Sequence, residues 1–102
     1  MFIIILKYEK PIKDVEQHLG KHVIFLEKYY ALNKFICSGK QKPRTGGIIL
    51  CNAKDKDEAN SIIKEDPFYI NQVAKYEVIE FIPTKYADGF KEFTAYRGEW
   101  KW

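Results

Sequence analysis

The chain opens on an unbroken apolar run, Phe2-Ile3-Ile4-Ile5-Leu6. A continuous run suits a strand covered on both faces better than a half-exposed one, so a central strand is predicted over residues 2–8. Pro11 and Asp14 then signal a helix start, with Gln17 as the far half of a capping box. The helix is expected to reach about Asn33. Gly20 costs roughly 1 kcal/mol relative to alanine inside a helix, which places the regular part from about Lys21. Phe35-Ile36-Cys37 predicts a second strand, ended by Ser38-Gly39 and a polar loop containing Pro43. Gly46-Gly47 opens a third, Ile48 to Cys51, antiparallel to the second. Asp55 and Glu58 form a capping box for a second helix, with Ala59, Ile62 and Ile63 on one face. It should stop at Asp66, because Pro67 disfavours helical geometry in the residue before it. Tyr76 to Ile82 is the fourth strand, closed by Pro83.

This order is the split βαβ pattern of an α+β, ferredoxin-like βαββαβ domain: a four-stranded antiparallel sheet with two helices on one face. The domain is expected over residues 1–83. Strands one and three are apolar on both faces, and a patch of several hundred Å2 is rarely left in water. A homodimer, sheet against sheet, is therefore expected. Residues 84–102 form an aromatic-rich extension with Tyr86, Phe90, Phe93, Tyr96, Trp100 and Trp102. Such a segment is too apolar to be disordered; it reads as padding docked on the domain or its partner, or as a lid over a ligand site.

Two polar residues fall on apolar faces. Val15, Leu19, Val23, Leu26 and Tyr30 define the inward stripe of the first helix; His22 lies within it and His18 at its edge. Asp66 continues the line of Ala59, Ile62 and Ile63. A buried carboxylate is costly without a partner, and an imidazole exchanges protons near neutrality, so the two invite pairing. Each also has a structural reading, His22 as a core histidine and Asp66 as an Asx turn before Pro67.

Composition adds mainly exclusions. The chain has 102 residues, 46% hydrophobic and 30% charged, enough for one domain with its own core. Seventeen basic against 14 acidic residues leave a net charge of +3, which marks no partner. Lys7 ends the first apolar run long before a membrane span or signal core is complete. Cys37 and Cys51 form no CxxC pair and read as reduced core residues of a cytoplasmic protein. No GxGxxG or Walker loop is present, so no nucleotide cofactor is expected. Asp55/Asp57/Glu58 and Glu65/Asp66 read as helix-end charges, so no metal is expected. RNA-recognition domains share this strand order but display aromatics on the third strand. Here it reads Gly-Gly-Ile-Ile-Leu-Cys, so nucleic acid is not an expected partner. Lys40, Lys42 and Arg44 read as a solvated loop, which in a dimer would sit at a pocket mouth and attract an anionic ligand.

His22 with Phe25-Leu26, Ser38-Gly39 ending the second strand, Pro43 through Gly47 leading into the third, and Asp66-Pro67-Phe68 recur in an order and spacing that resemble the YciI-like, YCII-related family. The resemblance covers roughly residues 2–83. It implies a dimeric α/β barrel around a histidine and aspartate site that needs no cofactor. His22 is then the general base or acid and Asp66 its orienting carboxylate or a second acid-base group. Ser38, Gly39, Arg44 and Phe68 bind substrate, Ser38 through its hydroxyl. Where the family usually has proline after Ser-Gly, this chain has Lys40, which alters the pocket edge in shape and charge. The family includes an enzyme that removes chloride from a chlorinated hydroxyquinol, which implies elimination chemistry without selecting that substrate. The rival functions are a non-catalytic ligand-binding or regulatory module and a cofactor-independent oxygenase.

Overall fold

The computed structural model describes residues 1–94. Four strands, β1 (Phe2–Tyr8), β2 (Phe35–Lys40), β3 (Gly46–Cys51) and β4 (Ala74–Glu80), form one antiparallel sheet in the order β2-β3-β1-β4. β1 is central, as its apolar run predicts, and the α+β ferredoxin-like arrangement is the one expected. Helices α1 (Ile12–Gln17), α2 (Leu19–Ala31), α3 (Lys56–Ile63) and α4 (Pro67–Ile70) supply Val15, Phe25, Tyr29, Ile62 and Phe68 to one core with Phe2, Ile4 and Leu6. The ladder carries that alternation outward: Ile4 faces Ile49 and Val78, whereas Ile3 faces Leu50 and Ile79. Gly46 lies so close to β1 that a Cβ there would sit 1.8 Å from the Leu6 carbonyl oxygen. Only glycine permits that approach.

The first predicted helix is two. The chain leaves helical geometry at His18, and Pro11 caps α1 without a side-chain bond, so Asp14 and Gln17 form no capping box. Asp14 lies in the first turn instead, where its charge suits the helix dipole. The break resets the helical phase. His22, Phe25 and Tyr29 become the buried line of α2, whereas Leu19 and Val23, in phase with Val15 on a continuous helix, are 37% and 41% exposed. In the second helix Asp55 caps as expected, accepting from the Glu58 amide at 2.8 Å. The Glu58 carboxylate reaches the Lys54 amide and the Lys34 ammonium, each at 2.9 Å.

Strand β2 does not end at Ser38-Gly39. The ladder with β3 continues to Lys40, after an irregularity between Phe35 and Cys37 that shifts its register. A bulge adds one residue and turns those beyond it to the other face. Cys37, expected in the core beside Phe35, is exposed opposite Leu50 on the uncovered face; Cys51 is buried as expected. Ser38 and Lys40 move onto the helix-facing side, opposite Ile49 and Gly47. β4 begins at Ala74 and closes at Glu80, two residues earlier at each end than expected.

After Pro83 a 3-10 helix spans Asp88–Phe93, and aromatics here meet at tilted angles, Tyr86 with Phe90 and Phe90 with Phe93, with centroids 6.0 and 5.9 Å apart. Tyr96, Trp100 and Trp102 lie outside the described residues. Among the described residues no helix is long and apolar enough to cross a membrane.

Candidate active site

Asp66 belongs to no long helix. α3 ends at Ile63, and Asp66 takes an extended conformation before Pro67, which opens α4. As N-cap its Oδ1 accepts from the Phe68 amide at 3.0 Å, and the same oxygen meets His22 Nδ1 at 2.7 Å. The Asx turn and the histidine pair, read from sequence as alternatives, are thus one arrangement. Oδ2 accepts from the Tyr76 hydroxyl at 2.5 Å. Asp66 is fully buried, and three donors from α2, α4 and β4 satisfy its carboxylate. Burial and the neighbouring Asp66 charge push the Tyr76 phenol far above its ordinary range, so it stays a donor at physiological pH.

Tyr76 was legible only as a strand residue. Nothing in its sequence neighbourhood ties it to Asp66, ten positions away; the contact arises because β4 returns beside the α4 cap.

With two donors already on the carboxylate, Nδ1 of His22 is the third, and the ring is fixed in the tautomer that leaves Nε2 as acceptor when neutral. The ring lies flat on Phe68, with centroids 4.0 Å apart and planes 6° apart. Phe25 flanks it at 6.0 Å. Lys28 and Tyr29 both reach Glu65, at 2.7 and 2.5 Å, and clamp α2 to the turn that carries Asp66.

His22 lines a cleft of about 390 Å3. Apolar walls come from Leu6, Leu19, Val23, Leu26 and Ile49; Ser38, Gly39, Lys40, Arg44 and Glu16 line the rest. Leu19 and Val23, displaced from the core by the break at His18, are walls of this cleft. Nε2 has no partner among the described residues and is not sealed from solvent, so the acceptor opens to the cleft. Of the residues singled out in the sequence, His22, Ser38, Gly39, Arg44 and Phe68 meet here, with Asp66 behind His22. Ser38 is engaged by the Tyr30 hydroxyl at 2.5 Å. Lys42 does not line the cleft, and neither does any described residue of the aromatic extension. A broader hollow of about 760 Å3 lies beyond Tyr76, but among the described residues its one carboxylate, Glu9, is paired with Lys75 at 3.3 Å and no histidine lines it. Among the described residues no three His, Cys, Asp or Glu side chains converge as a metal site would require.

The family model of the YCII-related domain matches residues 1–82. The chain belongs to the YCII-related family. No curated protein sequence matches this YCII-related chain. Among solved structures it is similar to 5-chloro-2-hydroxyhydroquinone dehydrochlorinase from Burkholderia phenoliruptrix, determined in complex with 2,5-dihydroxybenzoquinone. The two are 21% identical, with a TM-score of 0.68 over 87% of this chain and 98% of the other. At that identity the likeness speaks for the fold.

Proposed function

We propose that this YCII-related protein is a cofactor-independent enzyme acting on a small molecule in the cytoplasm, with His22 as general base or acid and Asp66 as its orienting carboxylate. The observation that carries this reading is the 2.7 Å contact between His22 Nδ1 and Asp66 Oδ1, which leaves Nε2 facing an open cleft. In an elimination, Nε2 removes a proton, the released electron pair forms the new double bond, and the leaving group departs with its bonding electrons. Asp66 stabilises the imidazolium so formed. A positioned acid-base group of this kind contributes roughly 10²- to 10⁴-fold. Hydrolysis uses the same nitrogen to take a proton from water. Ser38, Gly39, Arg44 and Phe68 hold the substrate, and the likeness of the fold to that of a dehydrochlorinase supports the first chemistry.

The working unit is a homodimer, a dimeric α/β barrel in which the uncovered sheet faces pack together. Ile3, Ile5, Ile48, Leu50 and Ile79 share that face, with Ile48 and Ile79 each 42% exposed. The second reading, a ligand-binding module without turnover, is favoured by the same cleft.

A screen of halogenated and hydroxylated small molecules, run in parallel on the parent and His22→Asn, separates the two. Turnover that falls at least about 100-fold in the variant is expected. Ligand binding with no His22-dependent turnover would favour the binding module, and product formed only in the presence of oxygen would favour an oxygenase.

A further inference from the structure

The cleft is unevenly charged. His22, stacked on Phe68, lines it together with Lys40, the last residue of β2, and Arg44 of the following loop. Lys40 lies across the ladder from Gly47, which in turn lies beside Leu6. Gly47 thus puts no side chain between Leu6 and Lys40 on this face of the sheet. Neither cation has an ion-pair partner among the described residues, whereas Glu9, Glu58, Glu65 and Asp66 are each taken by another base. Among the described residues Glu16 is the one carboxylate lining the cleft, against two cations. The apolar walls beside them concentrate the field of an unbalanced positive charge.

We infer that the ligand of this cleft is a small, flat organic anion, a carboxylate or an acidic phenol. Its charge is held between Lys40 and Arg44, its frame lies along Leu19, Val23 and Leu26, and its reacting end is presented to His22 Nε2. The volume of about 390 Å3 belongs to the small end of ligand pockets. Removing a proton from such a molecule adds negative charge, and the two nearby cations stabilise that charge as it develops. Lys40 is the specificity-determining residue that the bulge in β2 turns into the cleft.

The inference rests on the cleft being the substrate site, and its test is a binding experiment independent of turnover. Benzoate and benzamide have the same frame and differ by one charge. Titrated by NMR, benzoate should bind about tenfold more tightly than benzamide, the margin of a charge-assisted contact, and should move the His22 ring signals. That margin should vanish in Lys40→Gln/Arg44→Gln, whose substitutions lie at exposed positions, and shrink at about 0.5 M salt. Equal affinities in the parent, an unchanged margin in the double variant, or no binding of either probe would overturn the inference. His22→Asn should keep the margin. A margin kept with no turnover from any substrate would sink the acid-base reading and leave this one standing, while His22-dependent turnover confined to neutral substrates would do the reverse.

Discussion

On the helix-covered face of the sheet, Phe2, Ile4 and Leu6 are buried and the one carboxylate among them, Asp66, has three hydrogen-bond donors. On the other face, one residue along in the same strand, Ile3 and Ile5 are only half-buried, beside Ile79 and the exposed Cys37. The sequence of β1 treats its two sides alike; the folded chain does not. The covered side buries Asp66 and satisfies its carboxylate within one copy, which lets it hold a histidine in a single tautomer. The uncovered side carries the same kind of apolar surface, on which Ile48 and Ile79 are each 42% exposed, which is why a second copy is proposed there. The candidate site and the proposed interface thus lie mainly on opposite faces of a sheet one layer thick.

The covered face is most vulnerable at Asp66. Asp66→Ala leaves the Phe68 amide, the Tyr76 hydroxyl and His22 Nδ1 without their acceptor, so a loss of about 3 kcal/mol or more is expected in denaturant unfolding. A loss below about 1 kcal/mol would mean that the three donors find other partners. On the uncovered face, Ile79→Lys should leave the fold intact and halve the particle mass in light scattering at micromolar concentration. A parent mass equal to one chain would remove the dimer and with it the reason offered for the apolar patch.

Tyr76→Phe sharpens the contrast between packing and positioning. It keeps the ring and removes one donor to Asp66, costing about 1 kcal/mol. The lost donor also loosens the carboxylate that orients His22, so kcat for a His22-dependent substrate should fall with KM little changed. An unchanged kcat would leave Tyr76 a packing residue only. The two cysteines report the faces directly. Burial pushes the Cys51 thiol up to about 11, whereas Cys37 is exposed in a single copy. At about pH 8 iodoacetamide should therefore modify Cys37 alone in the native protein, more slowly as dimer forms, and both thiols after unfolding. Equal rates for the two would erase the distinction between the faces.

The order of elements, the central place of β1 and the presence of an inward histidine and aspartate were legible from apolar runs, capping residues and Pro67, because these are local preferences of the backbone and of helical spacing. The same reasoning put Leu19 and Val23 in the core, since a period of 3.6 residues extrapolates one helix and cannot see the break at His18. It put Cys37 inward and Ser38 at a strand end, since a period of two has no place for a bulge. Tyr76 escaped it altogether, because its role depends on which strand lies beside the α4 cap.

By itself, then, the sequence determined the order of the main helices and strands and which residue types have to be buried, both being consequences of short-range sterics and hydrophobicity. The tertiary structure decided which face each side chain meets. One break in α2's approach and one extra residue in β2 rotate Leu19, Val23, Ser38 and Lys40 toward His22, and a contact made by such rotations across separate elements has no periodic trace along the chain.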